Sequence, residues 1–156
     1  MRTMKPQSRE AFMTVERILK YKGTDVFSVR PEHTVAEAAQ VLHNNRIGAA
    51  MVCDGLTCVG VLSERDIVQG VVKHGNKALA MPVKALMSSP VVTCTCKDRI
   101  KDVMEVMNTR RIRHLPVIRD ETIVGMISIR DVVEQRLAEK QLEAAVLRDF
   151  ALAATG

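Results

Sequence analysis

Two short stretches place a hydroxyl and a carboxylate three residues apart where an apolar run turns into a helical pattern: Ser63-Glu64-Arg65-Asp66 and Ser128-Ile129-Arg130-Asp131. The first turn of a helix has backbone N–H groups without intrahelical partners, and its dipole favours negative charge, so a phosphate can dock beside either serine. Asp66 and Asp131 have the lone pairs to accept two hydrogen bonds from the vicinal hydroxyls of a ribose. The same spacing also suits a capping box, in which serine and acid satisfy the helix end and bind nothing. On the motif alone both readings stay open. One dense basic cluster, Arg110-Arg111-Ile112-Arg113-His114, carries charge on the scale of a small anion pocket.

Other chemistry is thinner. His33, His43, His74 and His114 are scattered, and no nucleophile has an evident base and orienting partner, so the chain does not read as an enzyme. Cys94 and Cys96 share one face of a predicted strand, a spacing a metal or redox pair could use, but there is no Cys-x-x-Cys and no histidine beside them. Buried, reduced thiols are the simpler account, with Cys53 and Cys58 flanking a predicted hairpin turn. Reduced cysteines and a basic start with no apolar segment behind it predict a cytoplasmic protein without a secretory signal.

The elements that must position these groups come in two copies. Gly60-Val61-Leu62-Ser63-Glu64-Arg65-Asp66 returns 65 residues later as Gly125-Met126-Ile127-Ser128-Ile129-Arg130-Asp131. Without a gap, residues 26–70 match residues 91–135 at 12 of 45 positions. Val35, Ala38, Ala39 and Leu42 fall at i, i+3, i+4 and i+7 behind a Thr34–Glu37 capping box, and Ile100, Val103, Met104 and Met107 repeat the stripe. Strands are predicted at 26–29 and 91–94. Hairpins follow, turning at Asp54-Gly55 and Asp120-Glu121, with Pro116 expected at a strand start or edge. Ahead of each copy stands a short helical turn, Val15-Ile18-Leu19 behind Thr14 and Val83–Met87. Their offset of 68 residues gives the first copy three extra residues within 20–25, a length expected in a Gly-containing loop.

The expected order is a mobile arm over 1–12, a first repeat over 13–72, a linker over 73–82 that is exposed at 73–77, a second repeat over 83–137 and a helical extension over 138–156. A β-α-β-β-α unit cannot cover both faces of its short sheet, which predicts a mixed α/β (α+β) fold with the repeats packed sheet to sheet in one compact module. Apolar residues make up 47% and charged residues 26% of the 156, the balance of a globular chain, and no apolar run is long enough to span a bilayer. A net charge of +5 and a pI of about 9.2 favour an anionic partner. With one Tyr, three Phe and no Trp, the stacking platforms of single-strand nucleic-acid binders are nearly absent.

The two spaced copies, with Arg111-Ile112-Arg113-His114-Leu115-Pro116-Val117 leading into the Gly125–Asp131 motif, resemble the cystathionine β-synthase (CBS) domain family over roughly residues 14–137. That resemblance implies a tandem pair and, as in many such pairs, an adenosine-containing ligand (AMP, ADP, ATP, NAD or S-adenosylmethionine) in the clefts between the sheets. Residue by residue it implies Asp131 and Asp66 on the ribose and Ser128 and Ser63 near the phosphates. Arg113 and His114 would reach phosphate oxygens, with Arg130 and Arg65 assisting or facing solvent. Val92, Thr93, Ile112 and Pro116 are the expected adenine contacts. Gly48, Ala49 and Met51 stand in the first copy where Arg113, His114 and Pro116 stand in the second, so the Asp131 site is expected to be the stronger.

The function expected is thus a stand-alone regulatory CBS pair that senses an adenine nucleotide, AMP first, and signals to an effector protein. Exposed apolar positions on the last helix (Leu137, Leu142, Leu147, Phe150) and the family's habit predict a homodimer. A ligand-free interaction scaffold is the alternative, with nucleic-acid binding behind it and no role for a membrane or a metal.

Overall fold

In a computed structural model, residues 14–156 are described; the arm expected over 1–12 lies outside them. The order is α1 (Val15–Lys22), β1 (Ser28–Val29), α2 (Val35–Asn45), β2 (Ala49–Asp54), β3 (Thr57–Ser63), α3 (Glu64–His74), β4 (Cys94–Thr95), α4 (Ile100–Arg110), β5 (His114–Arg119), β6 (Thr122–Ser128) and α5 (Ile129–Ala154). Two three-stranded sheets, β1-β2-β3 and β4-β5-β6, each pair the first strand parallel and the third antiparallel to the middle one. The repeat is kept in three dimensions: α2 and α4, β2 and β5, β3 and β6 keep the same 65-residue offset at both ends.

Local sequence explains the boundaries. Thr34 Oγ1 accepts from Glu37 N (3.2 Å) while Glu37 Oε2 accepts from Thr34 N (2.7 Å), the predicted capping box that starts α2. Val35, Ala38 and Leu42 of α2, and Ile100, Val103 and Met107 of α4, are the buried stripes. Such a side chain contributes about 1.5–3 kcal/mol when fully buried, enough to fix each helix against its sheet. Asp120 and Glu121 both have positive φ (49° and 62°), the conformation of a two-residue hairpin turn that follows the strand twist.

Three expectations need correction. Pro116 is neither at a strand start nor on an edge; it lies third in β5, the middle strand of its sheet. It is tolerated because β4 pairs with β5 only from Cys94↔Val117 onward, so its missing N–H costs no ladder bond; in the first repeat Met51 N donates to Phe27 O (2.9 Å) at the matching place. The strands predicted at 26–29 and 91–94 are two residues each, Ser28–Val29 and Cys94–Thr95, so the first is shortened and the second also shifted by one residue, leaving Val26, Val91 and Val92 outside them. Residues 73–77 are exposed, but they end α3 and begin a 3₁₀ helix, Gly75–Ala80, whose Ala78 is buried.

The leading segments are exchanged between the repeats. Val15 N and Glu16 N of α1 donate to Asp98 O (2.9 Å) and Cys96 O (3.0 Å) of the second repeat, while Val83 N and Lys84 N donate to His33 O (2.8 Å) and Pro31 O (3.0 Å) of the first. Thr14 occupies the N-cap position without a side-chain cap, because those carbonyls serve the helix start. Val15, Ile18 and Leu19 therefore share a core with Ile100, Met107, Leu115 and Ile127, and Val83, Leu86 and Met87 pack with Val29, Ala38, Val52 and Leu62. Gly125 and Gly60 make the exchange possible: a β-carbon would stand 2.6 Å from Leu19 Cδ2 at the first and 2.5 Å from Met87 Sδ at the second. Ala49, Met51, Val61, Met126 and Ile123 form the sheet-to-sheet layer between the two halves.

Candidate functional site

Each Ser-x-x-Asp motif caps its helix and also lines a cleft. Ser63 Oγ accepts from Asp66 N (3.2 Å), and Asp66 Oδ2 accepts from Ser63 N and Ser63 Oγ (2.9 Å each). Ser128 and Asp131 repeat this, with 3.2 Å for Asp131 N to Ser128 Oγ and 2.7 and 2.9 Å for Ser128 N and Oγ to Asp131 Oδ2. The capping reading and the cleft reading both hold, because a carboxylate has more lone pairs than the cap consumes. The remaining oxygen of Asp66, Oδ1, accepts from Ser88 Oγ (3.0 Å). Asp131 instead takes a third donor on Oδ2, Lys22 Nζ at 2.7 Å.

The exchange of leading segments decides what faces each acid. Around Asp66 lie Ser63, Glu64 and Arg65 of its own repeat, with Pro90, Val91, Val92, Arg111, Ile112, Arg113 and His114 of the other, in a cleft of about 190 Å³. Around Asp131 lie Ser128, Arg130 and Glu134, with Lys22, Asp25, Val26, Phe27, Arg46, Ile47, Gly48 and Ala49, in a wider cleft of about 1140 Å³. Arg113, His114, Gly48 and Glu64 reach both.

Ile112, Arg113, His114 and Val92, expected beside Asp131, are thus distributed differently. Val92 and Ile112 belong to the Asp66 cleft, and Arg113 and His114 stand between the two. Thr93 and Pro116 line neither cleft; Thr93 is exposed on the way into β4, and Pro116 is buried within β5. Arg65 lines the Asp66 cleft, whereas Arg130 on the other side is tied to Glu134 (3.1 Å). The cations missing from the first repeat's own sequence are lent to Asp66 across the cleft.

Electrostatics separate the clefts further. Burial pushes the His114 imidazole below its ordinary value, the nearby Lys22 charge adds to that, and Asp131 opposes it. At neutral pH His114 is therefore an uncharged hydrogen-bonding group rather than a cation. Burial pushes the Asp131 carboxyl up, but the hydrogen bonds from Lys22 and Ser128 together with the Lys22 charge outweigh it and hold the group below the usual aspartate value. Desolvation pushes the Cys94 thiol up to about 12, an unreactive buried thiol. No cluster of three or more His, Cys, Asp or Glu suited to a metal occurs among the described residues.

Sequence reasoning missed Lys22, Ser88, Glu64, Arg46, Pro90 and Val91 as cleft-lining residues and marked Arg111 only as part of the basic cluster. For Lys22 a signal was present: the three extra residues within 20–25 extend α1 through Lys22, whereas the matching turn of the second repeat, Val83–Ala85, is three residues long. Ser88, Pro90 and Val91 have none, since they follow the exchanged segment, which leaves no mark on either copy alone.

The family model for the CBS domain matches residues 15–73 and 83–138. A CBS-domain containing protein of Agrobacterium tumefaciens is similar in structure, with 38% identity, 79% of this chain and 98% of that chain covered, and a TM-score of 0.77. A CBS domain protein of Pyrobaculum aerophilum, crystallised in complex with AMP, is 29% identical with a TM-score of 0.66, over 76% of this chain and 89% of that one. A protein of Acidianus ambivalens is 33% identical over 78% of this chain and 73% of its own length. With two matched copies in tandem, two sheets face to face and solved relatives of the same architecture, this chain belongs to the CBS domain family.

Proposed function

We propose that this CBS pair is a regulatory binding module for an adenine nucleotide, AMP first and ADP, ATP or NAD by extension, rather than an enzyme. The observation that carries this reading is the assembly of the Asp66 cleft from both repeats: an acid for a ribose diol, an apolar slot of Val61, Val91, Val92 and Ile112, and Arg65, Arg111 and Arg113 at its rim. The relative crystallised with AMP supports the same ligand class. A slot of about 190 Å³ holds a nucleoside more readily than a whole nucleotide, so the phosphate would lie in the mouth, where Arg111 and Arg113 are exposed. Binding that bridges the repeats would be read out as a change in their mutual packing, passed to a partner protein or a second copy.

A ligand at a hundred times its Kd stabilises by about 2.7 kcal/mol, which for a chain of this size raises the Tm by roughly 5–10 °C. Thermal shift with AMP, ATP and NAD tests the reading, and a flat response to all three removes it. A second reading concerns assembly. Leu137, Leu142, Leu147, Phe150 and Leu152 of α5 are each more than half exposed, which favours a homodimer that covers them. The free cysteines fit a reducing compartment such as the cytoplasm, and among the described residues no helix is long and apolar enough to cross a membrane.

A further inference from the structure

The two clefts share a plan but not a state. Lys22 Nζ lies inside the Asp131 cleft, donating to Asp131 Oδ2 (2.7 Å) and to Met126 O (2.9 Å), with the Lys22 and Asp131 side chains 39% and 18% exposed. Together with Ser128 N and Oγ, three donors converge on one oxygen. A diol approaching Asp131 finds Oδ2 taken by three donors, one of them a cation, so a two-bond grip would rest on Oδ1 alone unless Lys22 gives way. Asp66 has only the neutral hydroxyl of Ser88 on its outer oxygen, and a hydroxyl rotates away without leaving a charge unpaired.

We infer that Lys22 is an internal occupant of the Asp131 cleft that sets how many ligands the module takes, so that the free chain accepts one adenine nucleotide at Asp66 and none at Asp131 until Lys22 is displaced. The inference rests on the nucleotide reading above, but it concerns a residue outside the Ser-x-x-Asp motifs. It follows from a departure from twofold symmetry at the leading segments, the extra turn of α1 that ends in Lys22 and Gly23 (φ 96°). No side chain of Val83–Ala85 has the length of helix behind it to do the same at Asp66. Displacing Lys22 also frees the end of a helix whose Leu19 packs on Gly125, so filling the second cleft would be felt in the second repeat's core.

Calorimetric titration with AMP decides it, using the wild type, Lys22→Ala, Lys22→Met, which keeps most of the aliphatic stem, and each of these combined with Asp66→Ala or Asp131→Ala. The expected result is one equivalent bound by the wild type, lost in Asp66→Ala, and a second equivalent in both Lys22 variants that Asp131→Ala removes. Two equivalents of equal affinity in the wild type, or one equivalent unchanged in both Lys22 variants, overturns the role of Lys22 while leaving the nucleotide reading intact. No binding by the wild type but one Asp131-dependent equivalent in the Lys22 variants overturns the Asp66 site and supports the occupant. No binding by any variant overturns both.

Discussion

The imidazole of His114 lies over the α-carbon of Gly48, with Nε2 2.9 Å and Cε1 3.2 Å from where a β-carbon would stand. These two residues come from different repeats; at the 65-residue offset Gly48 matches Arg113, so the first copy has no side chain where the second inserts its ring. Gly48→Ala is expected to push His114 aside and destabilise the fold by about 1 kcal/mol, the low end of overpacking because a ring can swing. Thermal melts check this, and adding His114→Ala is expected to recover most of the loss.

Capping and ligand binding are separable at the two acids. Asp66→Ala and Asp131→Ala each remove a capping box and are expected to lower stability by about 1 kcal/mol. Only Asp66→Ala is expected to weaken AMP binding, by roughly 10- to 100-fold, the loss of one or two hydrogen bonds to a charged acceptor. Titration and melts on the same preparations check both, and equal affinity losses in the two variants would contradict the assignment.

The Asp131 carboxyl has its own pH signature. Unfolded, it titrates near the ordinary 3.8; folded, it lies lower. As pH falls, the unfolded chain therefore binds the proton first, so the stability from Lys22 and Ser128 is complete above the ordinary value and is lost as pH drops through the folded one. Lys22→Met is expected to raise the folded value and flatten this acid limb. Urea midpoints between pH 6 and pH 2.5, with carboxyl NMR of Asp131, check the sign.

The last turns of α5 touch little of the rest of the chain: residues 140–145 and 147–156 are exposed. Deleting residues 138–156 is expected to leave the melting temperature within a few degrees, because few buried contacts go with it. Light scattering is expected to show a smaller assembly, since the apolar residues of the extension are those a second copy would cover.

Much of the fold was legible because a repeated sequence makes a repeated structure: the stripes at Val35–Leu42 and Ile100–Met107 and the caps at Ser63 and Ser128 recur at fixed offsets. Strand lengths were not legible, since propensity marks Val26 and Val91 as strand residues while parallel pairing begins only at Ser28↔Met51 and Cys94↔Val117. The site was legible in its residue types and not in its grouping. Asp131 and Arg113 lie 18 positions apart and invite pairing, yet Arg113 also lines the Asp66 cleft because the two repeats pack sheet to sheet. Long-range packing of that kind has no local sequence signal.

Because Leu19 covers Gly125 and Met87 covers Gly60, neither half owns the lid of its own interior. A larger residue at position 125 must be answered at position 19, in the other copy, so at these contacts the duplicated halves are obliged to drift together. Positions 64 and 129, glutamate in one copy and isoleucine in the other, line the clefts rather than cover these glycines. There the copies are at liberty to part company, and there an ancestral pair of identical pockets can become two with different tastes.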